Sequence, residues 1–281
     1  MALSERLEHF RRAHPVQRAK HADVEWRYRV AGAGATGLIL LPGSAGGGDA
    51  YFRLVERLEA DFRCLMIDYP VVDGIEAMLA GLAAVLAIEE IDRFSVVGGS
   101  FGGMIAQALL LEDPSRVERV VLNSTGPPSP ARATSNQRWQ PVMRCLPISW
   151  IRGLLSLVVR KIAKKIDVEK DFWIEYYTQA ARAITRADLE SKYRVSIDFD
   201  RSFGSRLDSL AGWQGAILLT QGSADSLAGE KMRSELLRAY PRAQVKTFEG
   251  AGHGVSLERP DEWEDTVVQF LRGEAASFSA R

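Results

Sequence analysis

The residues with the clearest capacity for chemistry are one serine, one aspartate and one histidine, set far apart in a 281-residue chain. Ser100 stands in VVGGSFGGMIAQALL (96–110), where Gly98, Ser100 and Gly102 satisfy G-x-S-x-G between a β-branched run and a helix-forming one. A strand that turns straight into a helix at a serine strains that residue's backbone, and neighbours without side chains let strand and helix approach. The hydroxyl then projects from the sheet's edge above a helix N-terminus, where developing negative charge is stabilised. The bare pattern is a weak signal in a chain with 24 glycines. A serine nucleophile also needs an imidazole to take its proton and a carboxylate to orient that imidazole, in the chain order Ser, acid, His for this motif. His9, His14 and His21 precede Ser100, in or near an N-terminal segment where surface histidines are ordinary. His253, in GAGHGVSLERPDEW, directly follows the predicted strand QVKTFEG (244–250) and lies between Gly252 and Gly254, and Asp225 follows the apolar run of GAILLTQGSAD. The plainer readings are a helix cap for Asp225 and a loop histidine for His253. Against them, all three residues fall just beyond the carboxyl ends of predicted parallel strands, where open α/β sheets assemble their sites. Asp208 and Asp261 are poorer acids, since one precedes its strand and the other opens a helix.

An oxyanion formed at Ser100 needs two backbone N–H donors, one after the nucleophile and one from the loop after an earlier strand. Phe101 is the first, and Ser44 in LLPGSAGGGDAYF is the second, with Ala45 as the alternative. Gly46, Gly47 and Gly48 keep that loop free of bulk, although glycine-rich loops are often mere connectors. Residues 32–37 (GAGATG) match the dinucleotide fingerprint G-x-G-x-x-G, but a strand follows where the motif requires a helix, so a turn is the expectation.

The elements that must position these residues alternate along the chain. Strands are predicted at 24–31, 37–42, 62–68, 93–99, 117–123, 215–222 and 244–250, and helices at 50–60, 74–91, 229–240 and 261–271. Such alternation argues for a parallel sheet flanked by helices. It lapses between 127 and 206, where 146–166 and 171–194 read as helical and GPPSPARA marks the entrance. The expected organisation is therefore an α/β core of 1–126 and 207–281 carrying a helical cap at 127–206. Leu3, Leu7 and Phe10 at helical spacing, with Ser4 as the possible cap, predict a short lead-in helix.

Lysine plus arginine (36) balances aspartate plus glutamate (36), so no whole-chain field draws the protein to nucleic acid. Cys64 and Cys145 fit neither a disulfide framework nor a zinc site and read as free thiols. The charged N-terminus lacks a signal-like apolar block, and no run approaches the roughly 18 apolar residues of a spanning helix. A cytoplasmic location is the expectation.

Through PGSAGGG, GGSFGG, QGSAD and GAGHG in order, the sequence resembles the α/β-hydrolase superfamily along nearly its whole length. LLPGSAGGGDAYF, IDYPV (67–71) and AYPRAQVKTFEG are most similar to its maspardin-like branch. The resemblance implies an eight-stranded, mostly parallel sheet with a cap inserted after the sixth strand. Two departures stand out. Pro42-Gly43 occupies the place of the His-Gly pair that many members carry before the oxyanion loop, and His253 is present where maspardin-type binding proteins lack the histidine. Serine at the elbow sets the chain apart from the dehalogenases and epoxide hydrolases of the superfamily, which use aspartate there.

Residues 128–206 hold 15 lysines and arginines against 8 acids, a net of +7 that the rest of the chain balances. The run 148–166 is apolar on one side and basic toward its end, which suits a helix covering a pocket or, less directly, contact with a lipid surface. Trp139, Trp150, Trp173, Tyr176 and Tyr177 are candidates for lining that pocket or for the cap's own core. The expected activity is hydrolysis of an ester or thioester of a small to medium apolar molecule by Ser100, His253 and Asp225, without metal or organic cofactor. Carbon–carbon bond hydrolysis or acyl transfer would use the same three residues, and a non-catalytic binding protein is the alternative from another class.

Overall fold

The computed structural model of the chain describes residues 1–210 and 212–274; positions 275–281, the end of the range expected for the core, lie outside the described residues. Helix α1 (Leu3–Ala13) leads into β1 (Gln17–His21), β2 (Val24–Ala31) and β3 (Thr36–Leu41). There follow α2 (Phe52–Leu58), β4 (Phe62–Asp68), α3 (Ile75–Ile88), β5 (Phe94–Gly99), α4 (Phe101–Glu112) and β6 (Val117–Asn123). Four helices come next: α5 (Pro130–Cys145), α6 (Ile148–Ala163), α7 (Lys170–Ala183) and α8 (Arg186–Ser202). The chain then resumes alternation with β7 (Ala216–Gly222), α9 (Glu230–Ala239), β8 (Gln244–Phe248), the short α10 (Val255–Glu258) and α11 (Pro260–Arg272).

The eight strands form one sheet in the order β1-β2-β4-β3-β5-β6-β7-β8, antiparallel at β1/β2 and β2/β4 and parallel elsewhere. The apolar run of β3 shows why. Ile39 and Leu41 point into one core layer with Val96, Leu122 and Leu219, while Leu38 and Leu40 point into the other with Val97, Val121 and Leu218. A period of two thus fills both faces of each central strand, and helices cover both sides as a parallel sheet requires. Helices α3, α4 and α8 supply the first layer, and α1, α2 and α11 the second.

The structure departs from the sequence expectations in a few places. β1 was not foreseen: QRAKH has no apolar alternation, and its residues are mostly exposed at the sheet edge. The single helix expected over 171–194 is two helices, because Thr185 starts a new one. Its hydroxyl accepts the Asp188 N–H at 3.1 Å and the Asp188 carboxylate accepts the Thr185 N–H at 2.7 Å, a reciprocal capping box. Ser4 lies inside α1, with Ala2 at the cap position. In GAGATG, residues 32–35 are a short connection from β2 and Thr36 and Gly37 already belong to β3, so no helix follows. Cys64 is buried, Cys145 is exposed, and neither is in a disulfide. Among the described residues no helix is long and apolar enough to cross a membrane.

The inserted helices are fastened to the sheet domain by polar contacts. Ser191 of α8 accepts the Val72 N–H and donates to the Val72 carbonyl, both at 2.9 Å. Fully buried Asp200 accepts the Ser129 N–H at 3.0 Å and pairs with Arg132, tying the start of α5 to α8.

Because Leu40 is fully buried in a strand paired on both sides, Leu40→Ala is expected to lower stability by about 2–5 kcal/mol, read from urea unfolding.

Candidate active site

Ser100 lies between the last residue of β5 and the first of α4, with φ 51° and ψ −111°. Its N–H donates to the Asn123 carbonyl at 2.8 Å, and its carbonyl accepts the Thr125 hydroxyl at 2.9 Å. The flanking glycines are required by space. A Cβ at Gly102 would collide with the backbone carbonyl of Leu41, and one at Gly98 with the carbonyl of Gly102. The first turn of α4 can therefore lie directly against the ends of β3 and β5.

His253 and Asp225 meet this serine. His253 Nε2 lies 3.1 Å from Ser100 Oγ, and its Nδ1 lies 2.9 Å from Asp225 Oδ2. Asp225 sits in the loop after β7 and is buried; its other oxygen accepts the N–H groups of Leu227 and Ala228 at 2.8 and 2.9 Å. Burial raises its pKa, but the hydrogen bond and charge of His253 and the two N–H groups outweigh that and hold it below the usual carboxylate value. The cap of α9 is Gly229, so Asp225 is free to orient the imidazole. Asp261 is an exposed partner of Arg53, and Asp208 borders a different cavity. His9, His14 and His21 lie on or beside α1 and β1.

The two backbone donors named from sequence lie beside Ser100. Ser44 and Ser100 border the same two cavities, and Phe101 borders one of them. Among the described residues the N–H groups of Ser44, Ala45 and Phe101 donate to no protein acceptor, which leaves them available to an incoming oxygen. The loop carrying Ser44 is held at several points. Tyr69 donates to the Pro42 carbonyl at 2.9 Å and stands edge-on to Phe101, and Lys192 donates to the Ser44 carbonyl at 2.6 Å. Asp68 accepts the Gly48 N–H at 2.9 Å. Asp49 accepts Tyr176 at 2.6 Å and Arg11 at 2.8 Å.

The histidine loop has its own clamp. Buried Glu258 accepts the Gly252 N–H at 2.6 Å and the Gly254 N–H at 3.3 Å, bracketing His253. None of Tyr69, Lys192, Asp49 or Glu258 was singled out from sequence. Glu258 alone had a local signal, a carboxylate five residues after a glycine-framed histidine.

A cavity of about 260 Å³ reaches Ser100 and His253. Its walls are mostly apolar, with Leu155, Val158, Val159 and Ile162 from α6 and Trp173 and Tyr177 from α7. Trp173 and Tyr177 line it and also pack into the second core layer, so both readings left open by the sequence apply to them. Trp139 and Trp150 do not; they are 60 % and 69 % exposed. Tyr176 is spent on Asp49.

Residues 38–266 match the model of the alpha/beta hydrolase family. The chain belongs to that family. It is 24% identical over 202 residues to an sn-1-specific diacylglycerol lipase of Mus musculus, a match covering 70% of this chain and 64% of that protein's length. It is 25% identical over 272 residues to a 2-hydroxy-6-oxononadienedioate/2-hydroxy-6-oxononatrienedioate hydrolase of Paraburkholderia xenovorans (89% and 91%). It is 23% identical over 256 residues to a pimeloyl-[acyl-carrier protein] methyl ester esterase of Cronobacter sakazakii (88% and 96%). A solved hydrolase from Pseudomonas aeruginosa superposes with a TM-score of 0.74 at 19% identity, covering 92% of this chain and 98% of that one. That likeness speaks to the fold.

Two stability measurements probe the site. Ionised Asp225 contributes stability that is complete above its unfolded pKa near about 3.9 and is lost as pH falls through its lower native value. The urea-unfolding gap between wild type and Asp225→Asn should therefore narrow progressively below about pH 4; a gap that stays constant there contradicts the assignment. Glu258→Ala leaves two loop N–H groups without their acceptor and is expected to lower stability by about 1–3 kcal/mol by the same measurement.

Proposed function

We propose that this chain is a serine hydrolase cleaving a carboxylic ester or thioester of a small to medium apolar substrate through an acyl-enzyme. The observation that carries the reading is the unbroken hydrogen-bond path from Ser100 Oγ through His253 to Asp225, opening on an apolar cavity. Ser100 attacks the carbonyl carbon while its proton passes to His253 Nε2. Asp225 keeps Nδ1 protonated and stabilises the imidazolium. The N–H groups of Phe101 and Ser44 receive the oxyanion, whose charge also faces the N-terminus of α4. Collapse of the tetrahedral adduct expels the alcohol or thiol, which takes the proton from His253. Water then gives a proton to His253, attacks the acyl carbon and releases the acid, and the proton returns to Ser100. The inserted helices serve in this scheme as a cap over the apolar cavity, supplying its α6 and α7 walls. The esterase and lipase among the relatives agree with this chemistry. The maspardin-like arrangement of loops is part of the same reading, with His253 as the residue that adds catalysis to it.

A fluorophosphonate probe tests this directly. Wild type should become covalently labelled and Ser100→Ala should not, while Ser100→Ala and His253→Ala should each lower kcat on a reactive ester by about 10⁴-fold or more. Absence of labelling in folded wild type would leave the non-catalytic binding protein as the better reading.

A further inference from the structure

A second cavity, of about 520 Å³, shares Ser44, Ala45, Gly46, Ser100 and Leu155 with the apolar one, so the serine lies where the two meet. Its far wall differs in chemistry. Among apolar residues such as Ile184 and Leu189, it carries Asp188, Lys192 and Tyr193 from α8 and Asn136 from α5. Lys192 has no carboxylate within ion-pair distance among the described residues, and its hydrogen bond goes to the neutral Ser44 carbonyl. Asp188, one turn back along α8 and bordering the same cavity, has its Oδ2 already accepting the Thr185 N–H and hydroxyl. The Tyr193 hydroxyl and the Asn136 amide make no hydrogen bond to another described residue. Burial lowers the pKa of Lys192 and raises that of Tyr193, as expected for groups partly withdrawn from water.

An ammonium partly removed from solvent without a counter-ion is costly, and a bound anion relieves that cost through charge-assisted hydrogen bonds. One cation, two neutral donors and an acid one turn away suit a monoanionic carboxylate better than a phosphate dianion. The side of the scissile bond follows from His253, which borders the apolar cavity and not this one. The imidazolium must reach the leaving group, so the leaving group belongs in the apolar cavity and the acyl chain runs toward Lys192.

We infer that the cavity beside Lys192 binds a terminal carboxylate on the acyl chain, making the preferred substrate a half-ester of a dicarboxylic acid. The acyl-side assignment rests on the hydrolase reading above; the anion site does not. Calorimetric titration of Ser100→Ala protein with the monoethyl and diethyl esters of succinic through suberic acid separates the two. At one or more chain lengths the half-ester should bind about tenfold more tightly than its diester. Lys192→Gln, which keeps a donor for the Ser44 carbonyl and removes the charge, should bring the pair to within about twofold, and Lys192→Arg should keep the preference. Equal binding of half-ester and diester at every length overturns the inference before Lys192 is changed, and so does a preference that survives Lys192→Gln. A preference that depends on Lys192 in a wild-type protein that takes no fluorophosphonate and turns over no half-ester supports the anion site and overturns the hydrolase reading instead.

Discussion

The site depends on holding one serine in a backbone conformation that serine ordinarily avoids. At φ 51° Ser100 is strained, a state that costs on the order of 1–3 kcal/mol and persists only where the surroundings over-determine it. Here they do. The Asn123 carbonyl takes its N–H, Thr125 takes its carbonyl, and the bare Cα atoms of Gly98 and Gly102 let α4 press against the ends of β3 and β5. The turn sets the hydroxyl within reach of His253 in the loop after β8, and among the described residues the Phe101 N–H has no protein acceptor.

Parallel pairing does the rest of the gathering. β5, β6, β7 and β8 are adjacent and run the same way, so residues just past their carboxyl ends arrive at one rim however far apart they stand in sequence. That is why the positions of Ser100, Asp225 and His253 could be read from the order of strands, and why the fold could be read from the alternation that surrounds them. Strands such as LILL and SVVGG announce themselves by composition, since both faces must be apolar. QRAKH could not, because its side chains are mostly exposed and carry no apolar alternation, so its pairing with β2 rests on the backbone alone. The break between α7 and α8 was legible in principle as Thr185-Arg-Ala-Asp188, a capping signature set inside a stretch whose helical periodicity ran on across it.

What sequence order could not convey is the second set of polar contacts. Lys192 meets the Ser44 carbonyl across 148 residues, and Tyr176 meets Asp49 across 127. Such pairs have no local pattern, because each partner is an ordinary surface-type residue until the tertiary fold brings it to the other. The same holds for Tyr69 on Pro42 and Asp68 on Gly48.

These contacts change how the inserted helices relate to the chemistry. The loop offering the Ser44 N–H has glycine at 43, 46, 47 and 48 and little rigidity of its own. Its shape is imposed by Tyr69 and Asp68 from the sheet side and by Tyr176 and Lys192 from α7 and α8. A peptide group whose carbonyl is held by a cation is fixed in orientation, and fixing the Ser44 carbonyl constrains the backbone on which the neighbouring N–H is aimed. The helices that wall the cavities therefore also brace the glycine-rich loop after β3, so a shift of α7 or α8 alters the pocket's walls and that loop's backbone together. The cavity walls and the loop beside Ser100 are mechanically joined in this chain through Tyr176 and Lys192.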